Sequence, residues 1–206
     1  MNRAIMWAGV LAAALAGGCA TTTADRSAYD ARAAATIKGD FHDRGIAKMD
    51  RVAQDELQAT CTKYRDHPPA DVLKRLEAQQ MATIKLPADG KLMGDWKKGQ
   101  RIASSGRGMT WSDKPGAENG GSCYNCHELA PQQTSFGTMG PSLRQFGKLR
   151  GYTPEIQKYA YQRIYNSKAF AACSSMPRFG PSGTLTEAQI RDLVAYLMDP
   201  ESPVNK

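Results

Sequence analysis

Apolar residues recur along this chain at steps of three and four, the spacing that puts them on one face of a helix. From Phe41 to Tyr64 the set is Ile46, Met49, Ala53, Leu57, Cys61 and Tyr64. His67-Pro68-Pro69 ends that helix, since proline cannot continue it. A second helix follows, with Asp71 near its start and Val72, Leu73, Leu76, Met81 and Ile84 as its apolar residues. The pair reads as a helical hairpin too thin to bury much alone, so it must pack on something else. Ahead of it, residues 25–40 are Ala-rich and expected to be loose. A seam is expected at Pro87-Ala88-Asp89-Gly90.

Beyond the seam the pattern predicts a helix from Gly94 to Ser104, with Trp96, Gly99 and Ile102 on one side. A loop rich in glycine and proline comes next. Thr153 caps a further helix that begins at Pro154, and Thr186-Glu187-Ala188-Gln189 opens the last one with a capping-box pattern. Ile190, Leu193, Val194 and Leu197 form its buried stripe, and Asp199-Pro200 ends it. The reading is all-α, in three parts: a leader over 1–24, a helical extension over 25–90, and a second unit over 91–206.

The leader has one charge, Arg3, then an apolar or small-residue run from Ile5 to Ala16 and the small residues Gly17-Gly18-Cys19-Ala20. That is the layout of an export signal, too short for a permanent membrane span. Two cleavages fit. Leu15-Ala16-Gly17-Gly18-Cys19 is a loose lipobox, which would leave Cys19 as a lipidated first residue. Ordinary cleavage after Ala20 or Ala24 would discard it, and Ala16 in place of a large aliphatic residue leans towards this plain secretion. Either way the expected compartment is the periplasm, with no transmembrane segment in the mature chain.

The residues Cys123-Tyr124-Asn125-Cys126-His127 carry the chemistry. Cys-X-X-Cys-His is the attachment sequence of c-type haem: both thiols add to vinyl groups as thioethers, and the histidine ligates iron from the proximal side. A thiol-disulfide motif would open a helix after a strand, and no strand pattern precedes Cys123. A structural zinc site needs a second ligand pair at metal spacing, which the other cysteines and histidines lack. One such motif implies one haem. With Cys19 and the haem pair set aside, Cys61 and Cys173 remain, and an even remainder in an oxidising compartment suggests a bridge. Two isolated buried thiols are the alternative.

The second axial position needs a ligand from elsewhere. Met176 is the favoured candidate, because Ser174-Ser175-Met176-Pro177-Arg178 is an irregular loop about fifty residues beyond His127 and hardly a core stretch. Met109 precedes the motif, Met139 follows it too closely, and Met198 ends the last helix, so these read as packing or surface residues. His42 and His67 read as surface residues of the extension. Pro141 is expected to present a backbone carbonyl to the second ring nitrogen of His127. An iron held by His127 and Met176 is closed to small ligands and suited to passing electrons.

Charge adds little. Past residue 24 the chain holds 26 basic and 20 acidic residues, without the basic blocks and interleaved aromatics of a nucleic-acid binder. Lys148, Arg150, Lys158, Arg163 and Lys168 face only Glu155, which is a solvated helix face or a steering surface for an acidic partner.

Together, Gly99 to Ile102, Cys123 to His127, Gly140-Pro141-Ser142-Leu143, Met176-Pro177-Arg178-Phe179-Gly180 and Leu185-Thr186-Glu187 resemble a class I cytochrome c. The spaced Gly-Pro-Ser-Leu, Met-Pro-X-Phe-Gly and Leu-Thr-Glu elements most resemble the SoxX subunits of SoxXA sulfur-oxidation cytochromes, over roughly residues 94–198. The resemblance implies a class I cytochrome c fold carrying an N-terminal helical extension. It implies haem c on Cys123 and Cys126, with His127 and Met176 as axial ligands. It also implies a SoxA-type partner subunit, a SoxYZ-type carrier protein bearing the acceptor cysteine, and a soluble cytochrome c as electron acceptor. The complex would be an L-cysteine S-thiosulfotransferase whose sulfur chemistry lies on the partner. Two rivals stand beside it: a free-standing periplasmic electron shuttle, and a peroxidase or sensor domain that would have to lose the Met176 ligand. The extension and Cys173, three residues before Met176, depart from the compact pattern. A Cys61–Cys173 bridge would staple the extension beside the methionine loop.

Overall fold

The computed structural model describes residues 23–206, with side chains from Ser27 onward. Residues 1–22, with Cys19 and the cleavage after Ala20, lie outside the described residues. The described chain divides into two compact units that meet at Asp43/Arg44. In the first, residues 25–40 are helical instead of loose: α1 spans Thr23–Asp40. Ala28, Ala31 and Ala33 to Ala35 supply the reason, since alanine loses the least free energy on entering a helix.

The second unit contains α2 (Glu56–Lys63), α3 (Ala70–Ala82), α4 (Trp96–Ser104), α5 (Phe146–Arg150), α6 (Pro154–Tyr165) and α7 (Glu187–Met198). Among the described residues the β pairing is a single isolated bridge, Arg44 to Ala47. No described helix is long and apolar enough to cross a membrane.

The helix expected over 41–64 is confined to its last third. Asp55 starts it with a reciprocal capping box: its carboxylate accepts from Gln58 N at 2.9 Å, and Gln58 Oε1 accepts from Asp55 N at 3.0 Å. Upstream, Gly45 has φ +53°, and a 3₁₀ turn covers Met49–Val52. Of the six residues read as one face, Leu57 and Cys61 are buried. Segment 44–52 packs on the loop ahead of the haem motif. Arg44 lies over the Trp111 ring at 3.3 Å, and Arg51 donates to Met109 O at 2.6 Å.

The main core lies where α4 and α7 cross, with α6 against α7. Gly99 permits the crossing, because a Cβ there would run into the Asp192 carbonyl and the Tyr196 Cβ. Ile102 and Ala103 meet Ile190, Leu193, Val194 and Leu197 in this core. Both expected caps are present: Thr153 accepts from Ile156 N, and Thr186 forms a capping box with Gln189. Two features lie beyond the sequence reading. α5 follows Gln145, which has φ +55°. The chain after Pro200 folds back and buries Val204 completely. Asn205 makes that tail a joint, accepting from Gly147 N and Lys148 N while donating to the carbonyls of Leu197 and Asp199.

Leu57, Cys61 and Leu76 form a smaller core with Ala172 from the methionine loop. Cys61 and Cys173 are joined by a disulfide, with Cα atoms 5.5 Å apart. Pro87 to Gly90 is a hydrogen-bonded turn inside this unit, Gly90 N donating to Pro87 O at 3.0 Å.

Candidate functional site

The Cys-X-X-Cys-His segment forms a tight turn. Cys126 N and His127 N both donate to Cys123 O, at 3.1 and 2.9 Å. A second strip of chain lies along it, with Gly137 N donating to Tyr124 O, Gly140 N to Cys126 O and Leu143 N to Glu128 O. Ser142 Oγ and Arg144 both bond the Glu128 carboxylate, locking the strip in register. The result places Pro141 O 2.7 Å from His127 Nδ1. A carbonyl can only accept, so Nδ1 carries a proton, which in the neutral ring leaves the lone pair on Nε2. Gly140 is required beside the ring, because a Cβ there would overlap the imidazole.

His127, Cys123 and Met176 line one cavity together with Ala103 of α4, Ile164 of α6, Leu193, Tyr196 and Leu197 of α7, and Leu129, Leu143 and Phe179. Apart from the three named groups this wall is almost wholly apolar. Met139 is 73% exposed and Met198 is buried in the core, and neither these two nor Met109 lines the cavity. His67 bonds Arg65 O, away from it. Cys126 lies in the turn next to His127.

Cys123 and Cys126 are unpaired. Cys123 is partly exposed as a residue, yet desolvation of its thiol, with Cys126 adding to it, pushes its pKa up to about 12. A thiol-disulfide catalyst needs the opposite shift. Burial, followed by the nearby Cys123, likewise pushes the Tyr196 hydroxyl up to about 12. Two unpaired thiols, a histidine with a fixed tautomer, a methionine and apolar walls fit a c-type haem.

A family model described as cytochrome c matches residues 97–199, half of the chain. The chain belongs to the cytochrome c family. Cytochromes of this family carry covalently attached haem c and transfer electrons through it, and the all-α fold agrees. The chain is also 42% identical over 156 residues to an uncharacterized lipoprotein of Aquifex aeolicus (strain VF5), covering 75% of this chain and 74% of that protein. An alignment of that length cannot fit within the cytochrome segment and its tail, so the likeness extends into the helices before residue 97.

The basic residues read as one set occupy different environments in the structure. Lys148 and Lys158 are exposed. Arg150 and Arg163 lie over aromatic rings of Phe146, Tyr159 and Phe170. Lys168 turns inward to the Ser174 carbonyl. Sequence reasoning missed Ser167, which is 1% exposed and donates to Met176 O at 2.7 Å. It also missed Asn166, fully buried beside it. Neither belongs to a periodic pattern or motif that could have flagged it.

Proposed function

We propose that this chain is an exported monohaem cytochrome that carries electrons, with Cys123 and Cys126 as thioether anchors and His127 Nε2 and Met176 Sδ as axial ligands. The observation that supports this best is that His127 and Met176 line the same apolar cavity while Pro141 O fixes the imidazole. Haem supplies a one-electron couple, and a His/Met pair favours a relatively high potential. The protein's own part is to hold the His127 ring aimed through Pro141 O, to keep the Cys123 thiol neutral until it reacts, and to exclude water with Leu193, Leu197, Ile164 and Phe179. With both axial sites filled, small ligands are shut out. The reduced spectrum of the holoprotein should therefore be unmoved by carbon monoxide, and Met176→Ala should make it sensitive. A wild-type spectrum that shifts strongly would refute the closed site and favour a peroxidase or sensor role.

The finer reading is a SoxX-type subunit of an L-cysteine S-thiosulfotransferase. Its support is the spaced set Gly140 to Leu143, Met176 to Gly180 and Leu185 to Glu187. In that reaction a carrier cysteine thiol and thiosulfate form one S–S bond, releasing one proton and two electrons. The bond is made on a SoxA-type partner, and this chain takes the electrons one at a time and hands them to a soluble cytochrome c. Native purification should yield a complex with a second, cysteine-ligated haem chain. A lone monomer that exchanges electrons with an oxidase would instead establish the free-standing shuttle.

The location proposed is periplasmic, held to a membrane by an acylated Cys19. The loose lipobox supports this, as does the lipoprotein name of the Aquifex relative. Intact mass of the native protein decides it: a diacylglycerol on Cys19 is expected, and a chain beginning after Ala20 or Ala24 would overturn it.

A further inference from the structure

We infer that the helical segment 55–84 is a clamp on the methionine loop, and that Ser167 and Asn166 are positioning residues through which it holds Met176 in place. The inference rests on Met176 as the axial ligand. Helices α2 and α3 reach the loop at four points. Cys61 is bonded to Cys173. Glu77 Oε1 accepts from Ala172 N at 3.3 Å. Asp55, the cap of α2, pairs with Arg178 at 2.6 Å, two residues beyond Met176. At the end of α3, Gln80 Oε1 and Thr83 Oγ1 accept from Asn166 Nδ2 at 3.0 and 2.9 Å.

The fourth point leads directly to the ligand. Asn166 is fully buried, and its neighbour Ser167 spends its hydroxyl on Met176 O, with Pro177 O at 3.3 Å. The small core agrees with this, since Ala172 supplies the loop side of the cluster around Leu76. The Met176 backbone cannot move away from the cavity while its own carbonyl, Ala172, Cys173 and Arg178 stay fastened. An incoming ligand must therefore meet the cost of releasing the loop before it reaches the iron, which lowers its apparent affinity. The helices add no group to the cavity and act only by setting how readily the thioether leaves.

The test is imidazole binding to the oxidised holoprotein, read alongside the near-infrared Met–iron band. Two variants leave Cys123, Cys126, His127 and Met176 untouched: Ser167→Ala on the loop, and Gln80→Ala with Thr83→Val on the clamp. Each should tighten imidazole binding about five- to tenfold per hydrogen bond lost, and the band should fade at a correspondingly lower imidazole concentration than in the wild type. A merely structural role would lower the melting temperature and leave imidazole affinity unchanged, and that result in the clamp-side variant overturns the inference. Met176→Ala separates the two ideas. If it abolishes the band while both positioning variants bind imidazole like the wild type, the ligand assignment stands and the clamp falls. If the band survives Met176→Ala, the ligand assignment falls and the clamp with it.

Discussion

Replacing both Cys61 and Cys173 by serine is the most informative single perturbation. The disulfide closes a loop with a sequence separation of 112 residues. In the chain-entropy model a loop of that length removes about 5 kcal/mol of freedom from the unfolded chain. That is the upper figure, since residual structure in the unfolded state reduces it. A further ~1 kcal/mol is expected because Cys61 is 7% exposed among Leu57 and Leu76, where a serine hydroxyl has no apolar substitute for its sulfur. Domains of this size are stable by about 5–15 kcal/mol, so the loss is a large share of the total. Urea unfolding of the holoprotein measures it. The midpoint should fall and the denaturant slope should rise, because an uncrosslinked chain exposes more surface when unfolded. The near-infrared Met–iron band should also vanish on heating before the helical signal does, as the loop opens ahead of the main core. A loss below about 1 kcal/mol would refute the entropic reasoning. Simultaneous loss of band and helix would refute the looser loop.

Gly140→Ala should prevent haem from being held in a low-spin state, because the new methyl occupies the space of the His127 ring; the absorption spectrum of protein matured in the periplasm reads this out. Gly99→Ala should cost about 1–3 kcal/mol through overpacking where α4 crosses α7, measured as a shift in denaturant midpoint with the haem spectrum kept. Asp55→Asn tests a charge. Desolvation raises the Asp55 pKa, but backbone hydrogen bonds from Gln58 and Leu57 and the Arg178 guanidinium outweigh it and hold it below the ordinary value. A lowered folded-state pKa means that the contribution is present above the ordinary carboxylate pKa and is lost as pH falls through the folded value. The gap in stability between wild type and Asp55→Asn should therefore be full near neutrality and close in strong acid. A gap that persists at the acid end would refute the linkage.

The cytochrome half was legible because its signals are local. Cys123 to His127 is contiguous, Thr186 and Gln189 cap one helix end, and Ile190, Leu193, Val194 and Leu197 repeat at the helical step. The extension misled for the same reason. Ile46, Met49 and Ala53 continue the period of Leu57 and Cys61, but the extended backbone at Ala53 and the Asp55 cap interrupt the helix between them. Alanines that looked unstructured in 25–40 form a helix, as their high helix propensity favours. α5 and the docking of Val204 and Asn205 depend on partners some fifty to sixty residues distant. No window of sequence contains both ends of such a contact.

The distal side of the site shows where that distinction matters for function. On the proximal side, the bonds that aim His127 come from Gly140 to Arg144, with the Pro141 carbonyl 14 residues beyond the histidine it fixes. A short cytochrome chain can make them unaided. Ser167, within the segment matched by the cytochrome c family, bonds Met176 O directly, but the groups that fasten Asn166 and the rest of the loop come from residues 55–84, outside that segment. The likeness to the Aquifex lipoprotein nevertheless runs into that stretch. On the proposed His127/Met176 assignment, iron capture and ligand retention are thus built from different lengths of chain. A thioether is the more easily displaced of the two axial groups, so added covalent and hydrogen-bonded restraint has most effect there. Deleting residues 25–85 while keeping the leader removes the restraint and leaves the attachment turn, so the shortened chain should still acquire haem while binding imidazole far more readily. Haem loss in that truncation would show that the smaller core serves folding of the whole unit and not ligand retention.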